Sequence, residues 1–187
     1  MKTRKLILFN GPPRCGKDTA AAHVWQKYPN SLHFKLSQPL KDGVKAFFNL
    51  SDDDVKVAEA NKDEPLDMFF GYTYRQVQIS LSEDWGKPKF GQRIFGALAA
   101  RQLARSPSTM FLCSDSGFDY EATPLIAAIG APNTLLIRIM RPGCTFANDS
   151  RSYITLPEVR MVILHNNGHK RDLYEHLTTV IDEWLSL

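Results

Sequence analysis

Cysteine is scarce in this sequence, and its spacing does not form a binding pattern. The 187 residues include three cysteines, Cys15, Cys113 and Cys144, and no two of them form a Cys-x-x-Cys pair. An odd number of widely separated cysteines argues against a disulfide framework and against a zinc knuckle. Such cysteine usage is typical of proteins from a reducing cytoplasm.

Long hydrophobic runs are also missing. The basic residues at the start are followed by only a short apolar run, Leu6–Phe9, which is too short for the core of a signal peptide. Nothing approaches the stretch of roughly 20 apolar residues that a membrane-spanning helix needs. We therefore expect a cytoplasmic protein without membrane partners.

Neither charge sign dominates. The chain has 23 Lys and Arg against 20 Asp and Glu, a formal net charge of +3. This mild excess suits a protein that handles polyanions such as nucleotides, but it does not by itself indicate nucleic-acid binding. The length predicts one domain with a substantial core, and the sequence contains no internal repeat or linker.

Short apolar runs alternate with helical patterns along the chain. The apolar runs, which predict buried strands, are Lys5–Asn10, Leu32–Ser37, Thr109–Ser114, Thr134–Met140 and Met161–His165. The helical patterns are Lys17–Lys27, a helix starting near Pro39, a short helix within Ser51–Gly71, Tyr74–Trp85, Gly91–Ala104 and Arg171–Leu185, with Lys87-Pro88 expected to interrupt the central pair. This alternation predicts an α/β protein with a mostly parallel sheet covered by helices on both faces.

The first strand is followed by a phosphate-binding motif. The residues are Gly11, Pro12, Pro13, Arg14, Cys15, Gly16, Lys17, Asp18 and Thr19, which contain the G-x-x-x-x-G-K spacing of a Walker A loop. Successive backbone N–H groups of such a loop can surround a phosphate, and the following helix directs its N-terminus at the same anion. We expect these nine residues to bind ATP, with Lys17 reaching the β- and γ-phosphates.

The motif departs from the usual pattern after its lysine. Asp18 occupies the position where a Ser or Thr hydroxyl normally binds Mg²⁺, and Thr19 comes next. A carboxylate is a hard oxygen ligand, so Asp18 could hold the ion directly or through water. An acidic residue in the first turn of a helix is also stabilised by the helix dipole, and both roles are compatible.

A second carboxylate, Asp115, ends the apolar strand Thr109–Ser114. Ligands of parallel sheets bind beyond the carboxyl ends of the strands, so Asp115 would lie beside the P-loop if the two strands are neighbours. There it would serve as a Walker B residue that positions Mg²⁺. The alternative is a turn or cap residue, since Asp-Ser-Gly favours turns.

Short matches to a known family occur in order along most of the chain. They are Gly16–Thr19, Pro39–Asp42, Ser114-Asp115 followed by Glu121-Ala122, Arg141–Gly143, Asn148–Ser150 and Asn166–Gly168. On these residues the chain resembles the phage deoxynucleoside monophosphate kinases, which are adenylate-kinase-like P-loop enzymes. If the gene belongs to a phage, the expected location is the host cytoplasm.

The resemblance implies one P-loop kinase domain over residues 1–187 that uses MgATP and a nucleotide acceptor. Within it, 50–105 would form a helical acceptor-binding subdomain, and 141–153 a short lid over ATP. The residues implied in catalysis are Lys17, Asp18, Asp115 and Arg141, with Arg141 also binding ATP and with Asp18 and Asp115 holding Mg²⁺. Acceptor contacts are implied for Ser37, Lys41, Arg75, Asp149 and Arg151.

Two departures leave the acceptor open. The family tends to carry an arginine at the position of Gly117, and a histidine and a glutamate where this chain has Arg151 to Tyr153. The leading interpretation is conversion of a deoxynucleoside monophosphate to its diphosphate. The alternatives are a kinase acting on the hydroxymethyl group of 5-hydroxymethyluracil or a similar modified base in phage DNA, a kinase for another small metabolite such as dephospho-coenzyme A, and a nucleotide-binding module without transfer activity.

Overall fold

A five-stranded sheet forms the centre of the protein in the computed structural model, which describes residues 3–147 and 149–187. The strands are β1 (Lys5–Asn10), β2 (Ser31–Phe34), β3 (Met110–Cys113), β4 (Thr134–Met140) and β5 (Arg160–His165). Their spatial order is β2-β3-β1-β4-β5, and every neighbouring pair is parallel. The predicted parallel sheet is therefore confirmed, and β1, which precedes the P-loop, lies at its centre.

Eight α-helices connect or flank these strands in the described ranges. They are α1 (Lys17–Lys27), α2 (Gln38–Phe47), α3 (Asp52–Ala60), α4 (Tyr74–Ser80), α5 (Lys87–Phe90), α6 (Ile94–Arg105), α7 (Asp119–Ile129) and α8 (Lys170–Leu185). A π-helical turn, Leu81–Gly86, joins α4 to α5, and short 3₁₀ turns occur at Asp67–Phe69 and Ala131–Asn133. No helix within 3–147 and 149–187 is long and apolar enough to cross a membrane.

The central strands are buried on both faces, which explains their continuous apolar runs. In β1, Ile7 and Phe9 pack with α1 and α8 in one apolar cluster that includes Trp184. Leu6 and Leu8 alternate with them and are equally buried, so they belong to the opposite face. The central strand β1 is therefore buried on both faces, whereas β5, at the edge of the sheet, leaves Met161 and Ile163 exposed.

The chain divides into two compact units. The first comprises 1–36 and 96–187 and contains the sheet with α1, α7 and α8 and nearly all of α6; the second is Ser37–Phe95. The second unit has its own small core, in which Val44, Ala58, Phe69 and Tyr74 are buried. Its helix α3 begins at a capping box between Ser51 and Asp54.

Three local predictions need correction. Pro88 does not interrupt the central helices, because it occupies the first turn of α5, where a missing N–H costs nothing; the break comes at Gly91, whose φ is 89°. The second strand ends at Phe34 rather than at residue 37. Helix α7 is absent from the sequence prediction, since Pro124 lies inside it.

Candidate active site

The sheet order brings the P-loop and Asp115 to the same edge. Strand β1 pairs directly with β3, with Leu8 opposite Cys113. The loop that starts at Gly11 and the residues Ser114 and Asp115 therefore leave neighbouring strands at their carboxyl ends. The condition on which the Walker B prediction depended, adjacency of the two strands, is met.

Glycine is required at two positions of the P-loop, for different structural reasons. Gly16 has a φ of 108°, a conformation that L side chains rarely adopt, and a Cβ there would lie 2.7 Å from the side-chain nitrogen of Asn166. At Gly11 a Cβ would lie only 2.4 Å from the backbone oxygen of Ile139. Arg14, at the tip, also has a positive φ of 63°. The loop is thus a strained turn packed closely against the end of β4 and the residue after β5.

Lys17 is held inside this loop. Its Nζ donates to the backbone oxygens of Gly11 and Pro12, each at 2.7 Å, and the residue is only 9% exposed. Burial lowers the pKa of Lys17 below its usual value, with the Arg151 cation adding to the effect and Asp18 opposing it. The site therefore presents a partly desolvated ammonium group, whose attraction for an anion is stronger than in water.

Asp18 belongs to a polar network across three strand ends. Its Oδ1 accepts a 3.1 Å hydrogen bond from the Ser114 hydroxyl and forms a 2.7 Å ion pair with Lys35. The same serine hydroxyl lies 2.8 Å from Nε2 of His33. Burial tends to raise the pKa of Asp18, but the hydrogen bond and charge of Lys35 outweigh it, so the pKa is lowered and the carboxylate stays ionised.

Asp115 is oriented by the backbone that follows β2. Its Oδ1 accepts a 2.8 Å hydrogen bond from the N–H of Leu36, and the Cys113 thiol lies 3.5 Å from the same oxygen. This carboxylate is thus a fixed feature of the edge between β2 and β3. The preceding residue, Ser114, is the serine that contacts Asp18.

The residues present fit a magnesium ion of the kind that nucleotide kinases use. No group of three or more His, Cys, Asp or Glu side chains that could hold a metal occurs within 3–147 and 149–187. Mg²⁺ does not require one, because it keeps several waters and is usually bound by one or two carboxylates together with substrate phosphates. Asp18 and Asp115, connected through Ser114, supply carboxylates of this type.

The two arginines of the predicted lid differ in their surroundings: one is exposed and the other forms an ion pair. Arg141 follows β4 and is exposed. Arg151 donates from Nε and Nη2 to the two carboxylate oxygens of Asp149, at 2.8 and 2.6 Å. Asn148, one of the residues that carry the family resemblance, lies outside the described residues.

The other predicted acceptor residues lie in the second unit. Lys41 of α2 forms an ion pair with Glu59, and Arg75 of α4 contacts Asp63, with Nε 2.5 Å from Oδ1. Ser37 precedes the first turn of α2. The two cations are already oriented by carboxylates, and the side chain of each stays partly exposed.

Two asparagines support the site, and the sequence patterns assign no function to either side chain. Asn10 is fully buried at the end of β1; its Nδ2 donates to the oxygens of Ser116 (2.8 Å) and Ser152 (3.1 Å), and its Oδ1 accepts from the N–H of Ile154 (3.1 Å). Asn166 donates from Nδ2 to the oxygen of Cys15 at 2.8 Å, which braces the P-loop. Asn10 could have been identified from the sequence as a supporting residue by one signal: it is a carboxamide at the end of an apolar run that predicts a buried strand, where a polar side chain needs hydrogen-bond partners.

Comparison with known proteins finds kinases among the proteins similar to this chain. A curated protein of Acanthamoeba polyphaga mimivirus, named "Putative deoxynucleotide monophosphate kinase", is 27% identical over 190 residues, covering 95% of this chain and 96% of its own. The solved structure of an unliganded sugar kinase from Janibacter sp. HTCC2649 has a TM-score of 0.51 at 15% identity, covering 96% of this chain and 95% of its own. Thymidylate kinase from Candida albicans reaches a TM-score of 0.47 at 11% identity, covering 97% and 92%. No protein-family model matches the chain.

The sheet, its order and the loop after its first strand define an α/β protein with the fold of the P-loop kinases. Within that class, the similarity to a deoxynucleotide monophosphate kinase extends over nearly the whole chain. The family resemblance predicted from the sequence is thereby confirmed.

Proposed function

We propose that this protein is an ATP-dependent kinase that transfers the γ-phosphate of ATP to a deoxynucleoside monophosphate and forms the diphosphate. The observation that carries the proposal is the buried Lys17 inside a strained glycine loop. This loop follows β1, which pairs with β3, and β3 ends two residues before Asp115. A site of this kind is suited to hold a triphosphate and to stabilise charge on a moving phosphoryl group.

On the donor side, the loop Gly11–Thr19 surrounds the phosphates with the backbone N–H groups of its residues other than Pro12 and Pro13, which have none. Lys17 supplies the cation that stabilises the charge developing on the phosphates during transfer. Asp18 and Asp115 hold Mg²⁺, with Asp18 in place of the usual hydroxyl residue. The bound ion would neutralise charge on the phosphates. Arg141, exposed after β4, closes with residues 141–153 over ATP and limits hydrolysis by excluding water.

On the acceptor side, the family resemblance implies contacts from Lys41 and Arg75 of the second unit, and Arg151 of the first unit binds the monophosphate. Each is held by one carboxylate, respectively Glu59, Asp63 and Asp149. Arginine is well suited to this task because its planar guanidinium can pair with two phosphate oxygens at once. Asp149 and Ser37 complete the proposed acceptor set.

The distribution of charge favours a small free acceptor over a base in DNA. The second unit contains eight Lys and Arg and ten Asp and Glu, a formal net charge of −2, while the chain as a whole carries +3. Binding of duplex DNA depends on many cation–phosphate contacts, and the second unit, which contains Lys41 and Arg75 of the proposed acceptor set, has no excess of positive charge to supply them. We therefore propose a free deoxynucleoside monophosphate from the cytoplasm as the first candidate acceptor, and a hydroxymethylated base in DNA as the second.

A labelling panel tests the proposal. The protein is incubated with ATP labelled at the γ-phosphate, Mg²⁺, and either each free deoxynucleoside monophosphate or duplex DNA containing 5-hydroxymethyluracil. We expect label in one or more diphosphates and none in DNA, with little change between about 50 and 200 mM salt. Label in DNA that falls steeply over that salt range would favour the DNA kinase. If neither the nucleotides nor the DNA becomes labelled, the remaining interpretation is a nucleotide-binding module without transfer activity.

A further inference from the structure

The side chain of Arg151 lies in the space that a side chain at residue 117 would fill. A Cβ built on Gly117 would come within 2.4, 2.5 and 3.0 Å of the Cδ, Cγ and Cβ atoms of Arg151. The φ of Gly117 is one that any residue adopts, so the glycine is needed here for space and not for its backbone freedom. Residue 117 and residue 151 are thus sterically coupled.

Arg151 is also held at its charged end. Asp149 binds the guanidinium with both carboxylate oxygens and accepts the backbone N–H of Arg151 at 2.9 Å. The Arg151 side chain is 27% exposed and that of Asp149 is 12% exposed. A guanidinium has five N–H donors, and the bonds to Asp149 use those of Nε and Nη2, so further donors remain to bind an anion.

The backbone on both sides of this contact is fixed by one residue. Asn10 binds the oxygen of Ser116, which precedes Gly117, and the oxygen of Ser152, which follows Arg151. The contact therefore cannot open by a simple shift of either loop without breaking buried hydrogen bonds. A side chain at residue 117 would have to displace Arg151 itself.

The contact lies within the electrostatic reach of the catalytic groups. The charges of Arg151 and Asp149 both affect the pKa of Lys17, in opposite directions, and the pKa of Arg151 is raised by its hydrogen bonds to Asp149 and by the charge of Asp115. Because Gly117 is two residues from Asp115 in the chain, the Arg151 side chain that packs over it lies against the loop that follows this carboxylate.

We propose that Gly117 is a positioning residue: by leaving its side-chain space empty it lets Arg151 lie there, so that Asp149 and Gly117 together direct the guanidinium at the anionic acceptor beside Asp115. This inference rests on the proposed kinase function and extends it. It assigns a role in acceptor binding to a residue that never touches substrate.

A double-mutant cycle tests the proposal with four proteins: wild type, Gly117→Ala, Arg151→Ala and the double variant. For each protein we measure the melting temperature, the KM for ATP, and the KM for the deoxynucleoside monophosphate that accepts label in the panel above. We expect Arg151→Ala and Gly117→Ala each to raise the acceptor KM by about 10- to 100-fold, the loss of one charge-assisted contact, with the KM for ATP within about twofold.

The decisive protein is the double variant, because Gly117→Ala should have no further effect once Arg151 is truncated. We expect its acceptor KM within about twofold of that of Arg151→Ala, and its melting temperature above that of Gly117→Ala. An acceptor KM unchanged in Gly117→Ala, or effects of the two changes that multiply, would overturn the proposal. If wild type labels no acceptor at all, the proposed function fails, and the positioning role fails with it whatever the melting temperatures show.

Discussion

At the scale of single residues, Asn10 connects three segments that carry the candidate site. It lies directly before Gly11, and its carboxamide reaches the loop after Asp115 and the segment after Arg151. All three hydrogen bonds involve backbone groups, and the asparagine is fully buried. Its replacement by an apolar residue would leave these partners in the interior without a substitute.

We predict that Asn10→Leu lowers the free energy of unfolding by about 2–4 kcal/mol, since several buried polar groups lose their partner. Urea unfolding followed by tryptophan fluorescence provides the measurement. Asn61→Leu is the matched control, because Asn61 is exposed at the end of α3 and its side chain donates to the oxygen of Val57 in the last turn of that helix. We expect a change within about 0.5 kcal/mol there. Equal effects at both positions would contradict the assigned role of Asn10.

At the scale of elements, the first strand, the P-loop and the following helix were predictable because their signals are local. An apolar run, a fixed glycine spacing and an alanine-rich helix follow one another within residues 5–27, and the structure gives β1 and α1 the predicted bounds. The place of Asp115 followed from the rule for parallel sheets once β3 was recognised.

What the sequence could not supply depends on contacts between distant residues. The space over Gly117 is filled by Arg151, 34 positions away, and Asn10 binds residues more than 100 positions away. No local pattern encodes such pairs. The continuation of the helix through Gly86 to Phe90 was also missed, since Lys87-Pro88 resembles a break although proline is tolerated in a first turn.

Helix α4 begins with a tyrosine whose hydroxyl is unsatisfied. The Tyr74 ring is fully buried and stacks on Phe69 with a centroid distance of 5.5 Å. Its hydroxyl has no hydrogen-bond partner among the described residues. Burial raises the pKa of Tyr74 to about 12, with the charges of Glu59 and Asp42 adding to the effect.

We predict that Tyr74→Phe leaves the free energy of unfolding at pH 7 unchanged or slightly higher, because an unsatisfied hydroxyl is removed. Because the pKa of Tyr74 is higher in the folded state than in the unfolded state, the hydroxyl of the unfolded chain ionises first. The free energy of unfolding is therefore unaffected by this titration below pH 10 and falls as the pH rises from 10 towards 12. Each pKa unit corresponds to about 1.4 kcal/mol, so at pH 11, about one unit above the ordinary tyrosine pKa of 10, the free energy of unfolding of wild type should have fallen by about 1–1.5 kcal/mol more than that of the variant. Urea unfolding at about pH 7, 10 and 11 measures the difference.

The control for this series is Tyr72→Phe, since Tyr72 is 63% exposed and only two positions away. It should follow wild type at every pH. A Tyr74→Phe variant that loses stability above pH 10 as steeply as wild type would show that the buried hydroxyl does not titrate as described.

At the scale of the whole molecule, charge and chemistry divide between the two units. The unit that contains the sheet carries the P-loop, both carboxylates and the excess of positive charge, while the second unit is net acidic. In the proposed reaction, triphosphate binding therefore belongs to the first unit. The second unit contains Lys41 and Arg75, two of the acceptor contacts that the family resemblance implies, and each is held by a carboxylate. This division is the physical reason for expecting a small nucleotide as acceptor.

The central claim is that Lys17 stabilises charge on a transferred phosphate, and its truncation tests this most directly. Transfer of label from γ-labelled ATP to the preferred deoxynucleoside monophosphate is compared in wild type, Lys17→Ala and Lys27→Ala, with circular dichroism to establish folding. Lys17 and Lys27 are the first and last residues of α1, which makes Lys27 a matched control. We predict a loss of about 100- to 1,000-fold or more in kcat for Lys17→Ala and less than about a threefold change for Lys27→Ala. A folded Lys17→Ala variant that turns over at the wild-type rate would contradict the account.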